Sequence, residues 1–112
     1  MMNITNLQTD LMRSFVAVVE LGGHSRAGEA LGRSQPAISL QIKRLEELVG
    51  RQLLQQNGRT IEVTTDGKVL LAYAREMIRL NDEAVHYFHR NEINGVLRIG
   101  LPEGSDVKIS VS

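Results

Sequence analysis

The chain has 112 residues, no cysteine, and 13 Lys or Arg residues against 13 Asp or Glu residues, so its formal net charge at pH 7 is zero. This length predicts one small domain with an appendage, and the absence of cysteine excludes a disulfide framework and a thiolate metal site. The first residues, Met1 to Asn6, lack the basic and apolar regions of a signal peptide. No run approaches the ~18 apolar residues of a membrane span, so we expect an intracellular protein.

The charge is unevenly distributed, although its sum is zero. From His24 to Thr60, six basic residues outnumber three acidic ones, which gives +3 in this stretch and −3 in the remainder. A neutral sum argues mildly against nucleic-acid binding, but a basic middle segment can meet phosphates.

Two short helices are predicted first. The first is expected to have Asn6 or Thr9 as its N-cap and to stop at Gly22-Gly23. The second is expected to begin with Ser25 as its N-cap and to end at Gly32. In the first helix, apolar residues recur at steps of three and four, as on one helical face: Leu7, Leu11, Phe15, Val18 and Val19.

A third helix follows a short turn at Gly32-Arg33, at the spacing of a helix-turn-helix. Ser34 is its expected N-cap, and Pro36 lies in the first turn, where a missing N–H costs nothing. Gly28 and Ala37 are small enough for the two helices to cross closely. The expected buried face ends before Gly50 and consists of Ile38, Ile42, Leu45 and Val49.

Two short strands are predicted next, at residues 53–56 and 60–64, and the second alternates at period two. Asn57-Gly58 lies between them and is a strong hairpin signal, because a type I′ turn needs positive φ at both central positions. The pattern predicts a two-stranded β-wing.

A long helix is predicted from about residue 66 to about residue 91, with Thr65 as its cap. Its apolar residues follow a +3/+4 rhythm, the seam of a coiled coil, and are the predicted dimer interface: Leu70, Tyr73, Met77, Leu80, Ala84 and Tyr87. The alternative is that the early positions pack on the chain's own wing and first helix, while a partner chain covers the later ones. Asn94-Gly95 breaks the helix, residues 96–100 have a strand pattern, and residues 103–112 carry no clear signal. The fold class expected is mainly α, a winged helix-turn-helix with a long C-terminal dimerisation helix.

The exposed face of the third helix suits reading of base edges in the DNA major groove. A Gln amide can bond adenine N6 and N7, a Ser hydroxyl can serve several bases, and Pro or Leu can pack on a thymine methyl. The predicted base contacts are Gln35, Pro36, Ser39 and Leu40. Phosphate or wing contacts, which fix position without reading sequence, are predicted for Ser25, Arg26, Ser34, Lys43, Arg44 and Arg59, with Arg59 in the neighbouring minor groove.

Several motifs in order resemble LysR-type transcriptional regulators, over roughly residues 7 to 101. Residues 34–39 (SQPAIS) and 41–50 (QIKRLEELVG) are similar to the recognition-helix signature of that family, and residues 15–20 (FVAVVE) to its first helix. Residues 64–68 (TTDGK) are similar to the entry of the linker helix, and residues 97–100 (LRIG) to the first strand of the effector domain.

The resemblance implies a bacterial, cytoplasmic, nucleoid-associated regulator that is not an enzyme and needs no cofactor. Family members bind DNA as dimers, usually within tetramers, through antiparallel linker helices, and an effector domain senses a small-molecule inducer. It also implies that Gln35, Pro36 and Ser39 approach bases and that Arg59 contacts DNA. The domains expected are the DNA-binding domain at 1–65, the linker helix at 66–92, and, at 93–112, a hinge with a truncated effector domain or a vector-derived tail.

Some residues depart from the pattern of the family. Leu40 stands where many members have Arg, His24 where Phe is usual, and Arg33 where the residue is often apolar. Gln55-Gln56 replaces a common Glu-Arg before the wing. These differences predict an altered target preference or weaker phosphate contacts, with the same fold.

Other interpretations compete with DNA reading. A Gln and Ser face can be an ordinary solvated surface, and Lys43 can pair with Glu47 four residues later. His86 and His89 could share a metal with Glu83, but no third strong ligand is nearby and no metal site is predicted. The neutral charge and Leu40 motivate the main alternative, a dimerisation or protein-interaction module that has lost specific DNA binding. No catalytic constellation supports a small enzyme.

Overall fold

The computed structural model describes residues 5–93, and for residues 91–93 only the backbone. The elements of this part are α1 (Thr9–Leu21), α2 (His24–Leu31), α3 (Gln35–Val49), β1 (Leu54–Asn57), β2 (Thr60–Val63) and α4 (Thr65–Ile93). The mainly α class is therefore confirmed. The predicted break at Asn94-Gly95 and the strand at residues 96–100 lie outside the described residues.

The chain forms two units by its internal contacts, Met1–Arg79 and Leu80–Ser112. The first holds all elements up to β2 and the start of α4. The described part of the second is the rest of α4, where residues 80–90 are all exposed. None of the helices within residues 5–93 is long and apolar enough to cross a membrane.

The core of the first unit lies between α1, α2 and α3. Met12, Phe15, Ala27, Ile38 and Leu45 are completely enclosed, each at 0% exposure. Phe15, Ile38 and Leu45 belong to the apolar stripes predicted from helical spacing, whereas Met12 was not predicted to be buried. Each Å² of apolar surface removed from water stabilises the fold by about 25 cal/mol. The stripe on α3 is narrower than predicted, because Val49 is only partly buried.

One polar side chain lies inside this core and has a partner. Ser14 on α1 is 1% exposed, and its hydroxyl donates to the side-chain oxygen of Gln41 on α3. A buried hydroxyl without such a bond would cost free energy. The pair therefore fixes the position of α3 along α1.

The helix starts differ from the predictions in three of four cases. Ser34 caps α3 as predicted, and its hydroxyl accepts from the N–H of Ala37 at 3.2 Å. The N-cap of α1 is Gln8, rather than Asn6 or Thr9, and uses only its backbone carbonyl. The N-cap of α2 is Gly23, two residues before Ser25. Gly22 ends α1 at φ 81° and leaves a single residue before α2, so Ser25 lies inside the helix.

Thr64, rather than Thr65, caps α4. Its hydroxyl accepts from the N–H of Gly67 at 2.9 Å and donates to the carbonyl of Gln52 at 2.6 Å. The second bond joins Thr64 to the segment before β1. This contact explains why the N-cap is Thr64 and not Thr65. The helix therefore starts one residue earlier than the sequence pattern indicates.

The wing is a two-stranded antiparallel hairpin, as predicted, but its turn is shifted by one residue. Leu54 pairs with Val63 and Asn57 with Thr60, which leaves Gly58 and Arg59 as the two turn residues. Gly58 has φ 67°, and the predicted pair Asn57-Gly58 is wrong because Asn57 is the last paired residue of β1. The shift places Arg59 at the tip of the wing.

The first turns of α4 pack on the chain itself. Leu70, Leu71 and Ala74 are buried in the core of the first unit. The prediction that Leu70 belongs to a dimer interface is therefore corrected, because its side chain is only 8% exposed. Met77 is partly buried against the same core.

The turn between α2 and α3 depends on a glycine. A Cβ added at Gly28 would lie 2.5 Å from the carbonyl oxygen of Arg33, and the N–H of Arg33 donates to the carbonyl of Gly28 at 2.8 Å. The backbone of α2 thus contacts the turn directly. Gly28 is required as predicted, although its neighbour is the turn rather than α3 itself.

We expect Gly28→Ala to lower the free energy of unfolding by about 1–3 kcal/mol, because the added methyl overlaps a backbone atom and the turn must shift. This loss exceeds the ~0.5–1 kcal/mol that alanine gains over glycine in a helix interior. Urea unfolding measures the difference. The control is Glu29→Ala, at an exposed position of the same helix, where the change adds no atom. Equal stability of the two variants would contradict the steric explanation.

Candidate nucleic-acid interface

The start of α3 presents two polar side chains to solvent. Gln35 and Ser39 lie one helical turn apart, and the Gln35 Nε2 donates to the Ser39 hydroxyl at 2.9 Å. The bond leaves the Gln35 side-chain oxygen free to accept, and each group keeps one further hydrogen to donate. Such a pair matches the donor and acceptor pattern on the major-groove edge of adenine.

The other predicted α3 residues flank this pair. Leu40 is 68% exposed, and Ser34, Pro36, Lys43 and Arg44 are exposed too. Within residues 5–93, the predicted alternative pair of Lys43 with Glu47 does not form. An exposed leucine and unpaired cations on one face suit a ligand that has both apolar and anionic groups.

Two adjoining open depressions separate α3 from its neighbours. The first lies where α2, α3 and the wing meet, and its polar lining consists of His24, Ser25, Arg26, Gln35, Gln56 and Arg59. The second lies between α3 and the wing, and its polar lining consists of His24, Ser39, Lys43, Glu46, Gln52, Gln55 and Gln56.

Six of the predicted contact residues line the depressions, and they come from three elements that are distant in sequence: Ser25, Arg26, Gln35, Ser39, Lys43 and Arg59. Ser34, Pro36, Leu40 and Arg44 do not line them and lie exposed on α3 and at its start. We call the surface formed by both depressions and the exposed start of α3 the reading surface.

His24 and Gln56 were not among the predicted contacts, yet both line the two depressions. Their only sequence signal is their place next to predicted contacts. His24 precedes the Ser25-Arg26 pair, and Gln56 lies on the strand that leads to the wing tip. Their positions depend on how α2 and the wing face each other, which periodicity does not reveal.

Glu46 is the one acidic side chain among the described residues that line the depressions. Its carboxylate accepts from the backbone N–H groups of Leu53 and Leu54, at 2.8 and 3.3 Å. These bonds disperse its charge and fasten the start of the wing to the end of α3. The remaining charged lining residues are basic, namely Arg26, Lys43 and Arg59, so the reading surface can attract an anion.

A family model described as "Bacterial regulatory helix-turn-helix protein, lysR family" matches residues 9–68. The chain is 40% identical over 98 residues to the HTH-type transcriptional regulator DgdR of Burkholderia cepacia, and 41% identical over 100 residues to PecT of Dickeya dadantii. These alignments cover 88% and 89% of the chain but 33% and 32% of the relatives. The chain thus spans about a third of their length. Both relatives are named as regulators, in agreement with the prediction that the chain is not an enzyme.

The fold is similar to DNA-binding domains that have been solved with DNA. The BenM_DBD/catB site 1 DNA complex matches with a TM-score of 0.71 and 34% identity, over 77% of this chain and 96% of that chain. The CbnR_DBD-DNA complex matches with a TM-score of 0.69 and 30% identity, over 77% and 99%. These matches confirm the predicted winged helix-turn-helix class.

We expect Glu46→Ala to lower the free energy of unfolding by about 1–3 kcal/mol, because it leaves two backbone N–H groups without their acceptor. The loss should also loosen the wing, which amide hydrogen exchange at Leu53 and Leu54 would detect. Glu47→Ala is the matched control, since Glu47 is exposed. Slow exchange at both amides in the Glu46 variant would contradict the proposed fastening.

Proposed function

The chain belongs to the lysR family of bacterial regulatory helix-turn-helix proteins, and from this premise we propose that it is a sequence-specific DNA-binding regulator of transcription. The observation that carries the proposal is the reading surface, on which the exposed Gln35 bonds the half-buried Ser39 between the start of α2 and the wing. A polar pair bounded by cations combines base recognition with phosphate attraction.

In this proposal α3 enters the major groove with its N-terminal turns toward the bases. Gln35 and Ser39 read hydrogen-bonding edges, and Pro36 and Leu40 pack on thymine methyl groups. The phosphate contacts are Ser25, Arg26, Ser34, Lys43 and Arg44. Arg59 suits the adjacent minor groove, because the turn of residues 57–60 places it at the wing tip.

Two kinds of support come from the relatives. BenM_DBD and CbnR_DBD are each described in complex with DNA, and both match over three quarters of this chain. DgdR and PecT are named as transcriptional regulators. The chain spans only a third of those regulators. We therefore propose an inducer-sensing effector domain and a tetramer only for a longer protein that carries such a domain.

We further propose a homodimer that binds an inverted repeat. Tyr73, Leu80 and Tyr87 lie at heptad spacing on α4 and are 65%, 51% and 53% exposed. Apolar side chains at this spacing are normally covered by a partner helix. Ala84 is exposed as well, and Met77 is half-buried, so both suit the same interface. A two-fold dimer presents two copies of α3 and therefore requires two related half-sites.

This proposal retains the division into a DNA-binding domain at 1–65 and a linker helix at 66–92. It also places the protein in the bacterial cytoplasm, associated with the nucleoid, where its DNA target is. The competing function is a dimerisation or protein-interaction module that has lost specific DNA binding. The exposed Leu40 favours it, because an apolar side chain stands where the family often has Arg.

We expect Gln35→Ala to reduce discrimination against a single-base change by about 1–3 kcal/mol, because the bidentate contact to that base is lost. The measurement is fluorescence anisotropy with a duplex that the chain enriches from a random pool, and with variants changed at one base pair. Gln8→Ala is the matched control, since Gln8 is exposed and its side chain makes no capping bond. Unchanged discrimination in the Gln35 variant would refute its assignment to a base.

We expect Leu80→Glu to shift the chain from dimer to monomer, because the variant places two like charges in an apolar seam. Sedimentation equilibrium measures the change, and an increase in the dissociation constant of at least about tenfold is expected. The control is Ala72→Glu, which adds the same charge at an exposed position of α4 outside the seam. A dimer that tolerates Leu80→Glu as well as Ala72→Glu would place the interface elsewhere.

A further inference from the structure

His24 occupies an unusual place on the reading surface. It is the first residue of α2, it follows Gly23, which has no side chain to cap the helix, and its own side chain is half-buried. It lines both depressions, as does Gln56. An imidazole at this point lies where the start of α2, the start of α3 and the wing converge.

The charged groups that share these depressions are mostly cations. Arg26 comes from α2, Lys43 from α3 and Arg59 from the wing, and the one carboxylate is that of Glu46. Glu46 already accepts two backbone N–H bonds. The surface around His24 therefore carries a net positive charge and suits an anion such as a phosphate.

We propose that His24 is a further DNA contact, in which its protonated imidazole donates a hydrogen bond to a backbone phosphate. The inference rests on the proposed function, since it needs a phosphate on the reading surface. Histidine is the side chain whose charge changes most readily between pH 5 and 8. DNA affinity therefore rises as the pH falls through that range.

The test is the dissociation constant for the enriched duplex, measured by fluorescence anisotropy between pH 5.5 and pH 7.5. Side chains of Asp, Glu, Lys and Arg ordinarily keep their charge over this range, so the histidines dominate the titration. The chain has three, His24, His86 and His89. The variants are His24→Gln, which cannot be charged, His24→Arg, which is always charged, and the control His86→Gln/His89→Gln, with circular dichroism to establish folding.

The wild-type chain and the control should bind about tenfold more tightly at pH 5.5 than at pH 7.5, the effect of one charge-assisted hydrogen bond. His24→Gln should bind weakly and His24→Arg tightly, each with a flat pH profile. In the wild type, the slope of log affinity against log salt should be steeper at the lower pH, by about the contribution of one phosphate contact. His24→Gln should not show this steepening, which distinguishes a phosphate contact from a structural role.

Two results overturn the inference without touching the proposed function. One is specific binding with a pH profile that His24→Gln leaves unchanged, and the other is a profile that only the His86→Gln/His89→Gln control flattens, which would place the titration on α4. Failure of every folded variant to bind any duplex at either pH would overturn both the inference and the proposed function.

Discussion

The close approach of Gly28 to the carbonyl of Arg33 is the constraint on which the arrangement of the helices depends. Any side chain at Gly28 would overlap that oxygen, and the turn could not pass so near to α2. The approach sets where Ser34 begins α3, and Ser34 in turn caps the helix that displays Gln35 and Ser39. The position of the candidate base contacts therefore depends on the absence of a side chain at Gly28.

The wing is held in place by a second group of backbone contacts, around Leu53. Its N–H donates to the carboxylate of Glu46 and its carbonyl accepts from the N–H of Thr64 at 3.0 Å. The same carbonyl lies so close to Gly67 that no Cβ would fit there. One buried residue thus connects the end of α3, the return from the wing and the first turn of α4. The position of Arg59 relative to Gln35 is fixed through these contacts rather than by the hairpin alone.

The sequence alone predicted those structural features that depend only on residues close together in the chain. Glycine stops, the Ser34 cap and the apolar stripes follow from the chemistry of neighbouring residues, and these define the helix-turn-helix. The features it did not reveal depend on contacts between distant segments. Thr64 caps α4 because it also bonds Gln52, and Leu70 is buried because α4 returns to its own core. His24 joins the reading surface only after the wing has folded beside α2, so no spacing rule identifies it.

The most direct measurement is the salt dependence of binding to the enriched duplex and to a scrambled one, by fluorescence anisotropy. If the reading surface binds DNA, log affinity falls linearly with log salt, the enriched duplex is preferred, and Lys43→Ala, which removes a proposed phosphate contact, lowers the slope by about one. Arg75→Ala, which removes the same charge from a surface pair with Glu20 on α1, should leave the slope unchanged. A folded, dimeric chain that binds neither duplex at low salt would contradict DNA reading and favour a protein-interaction module.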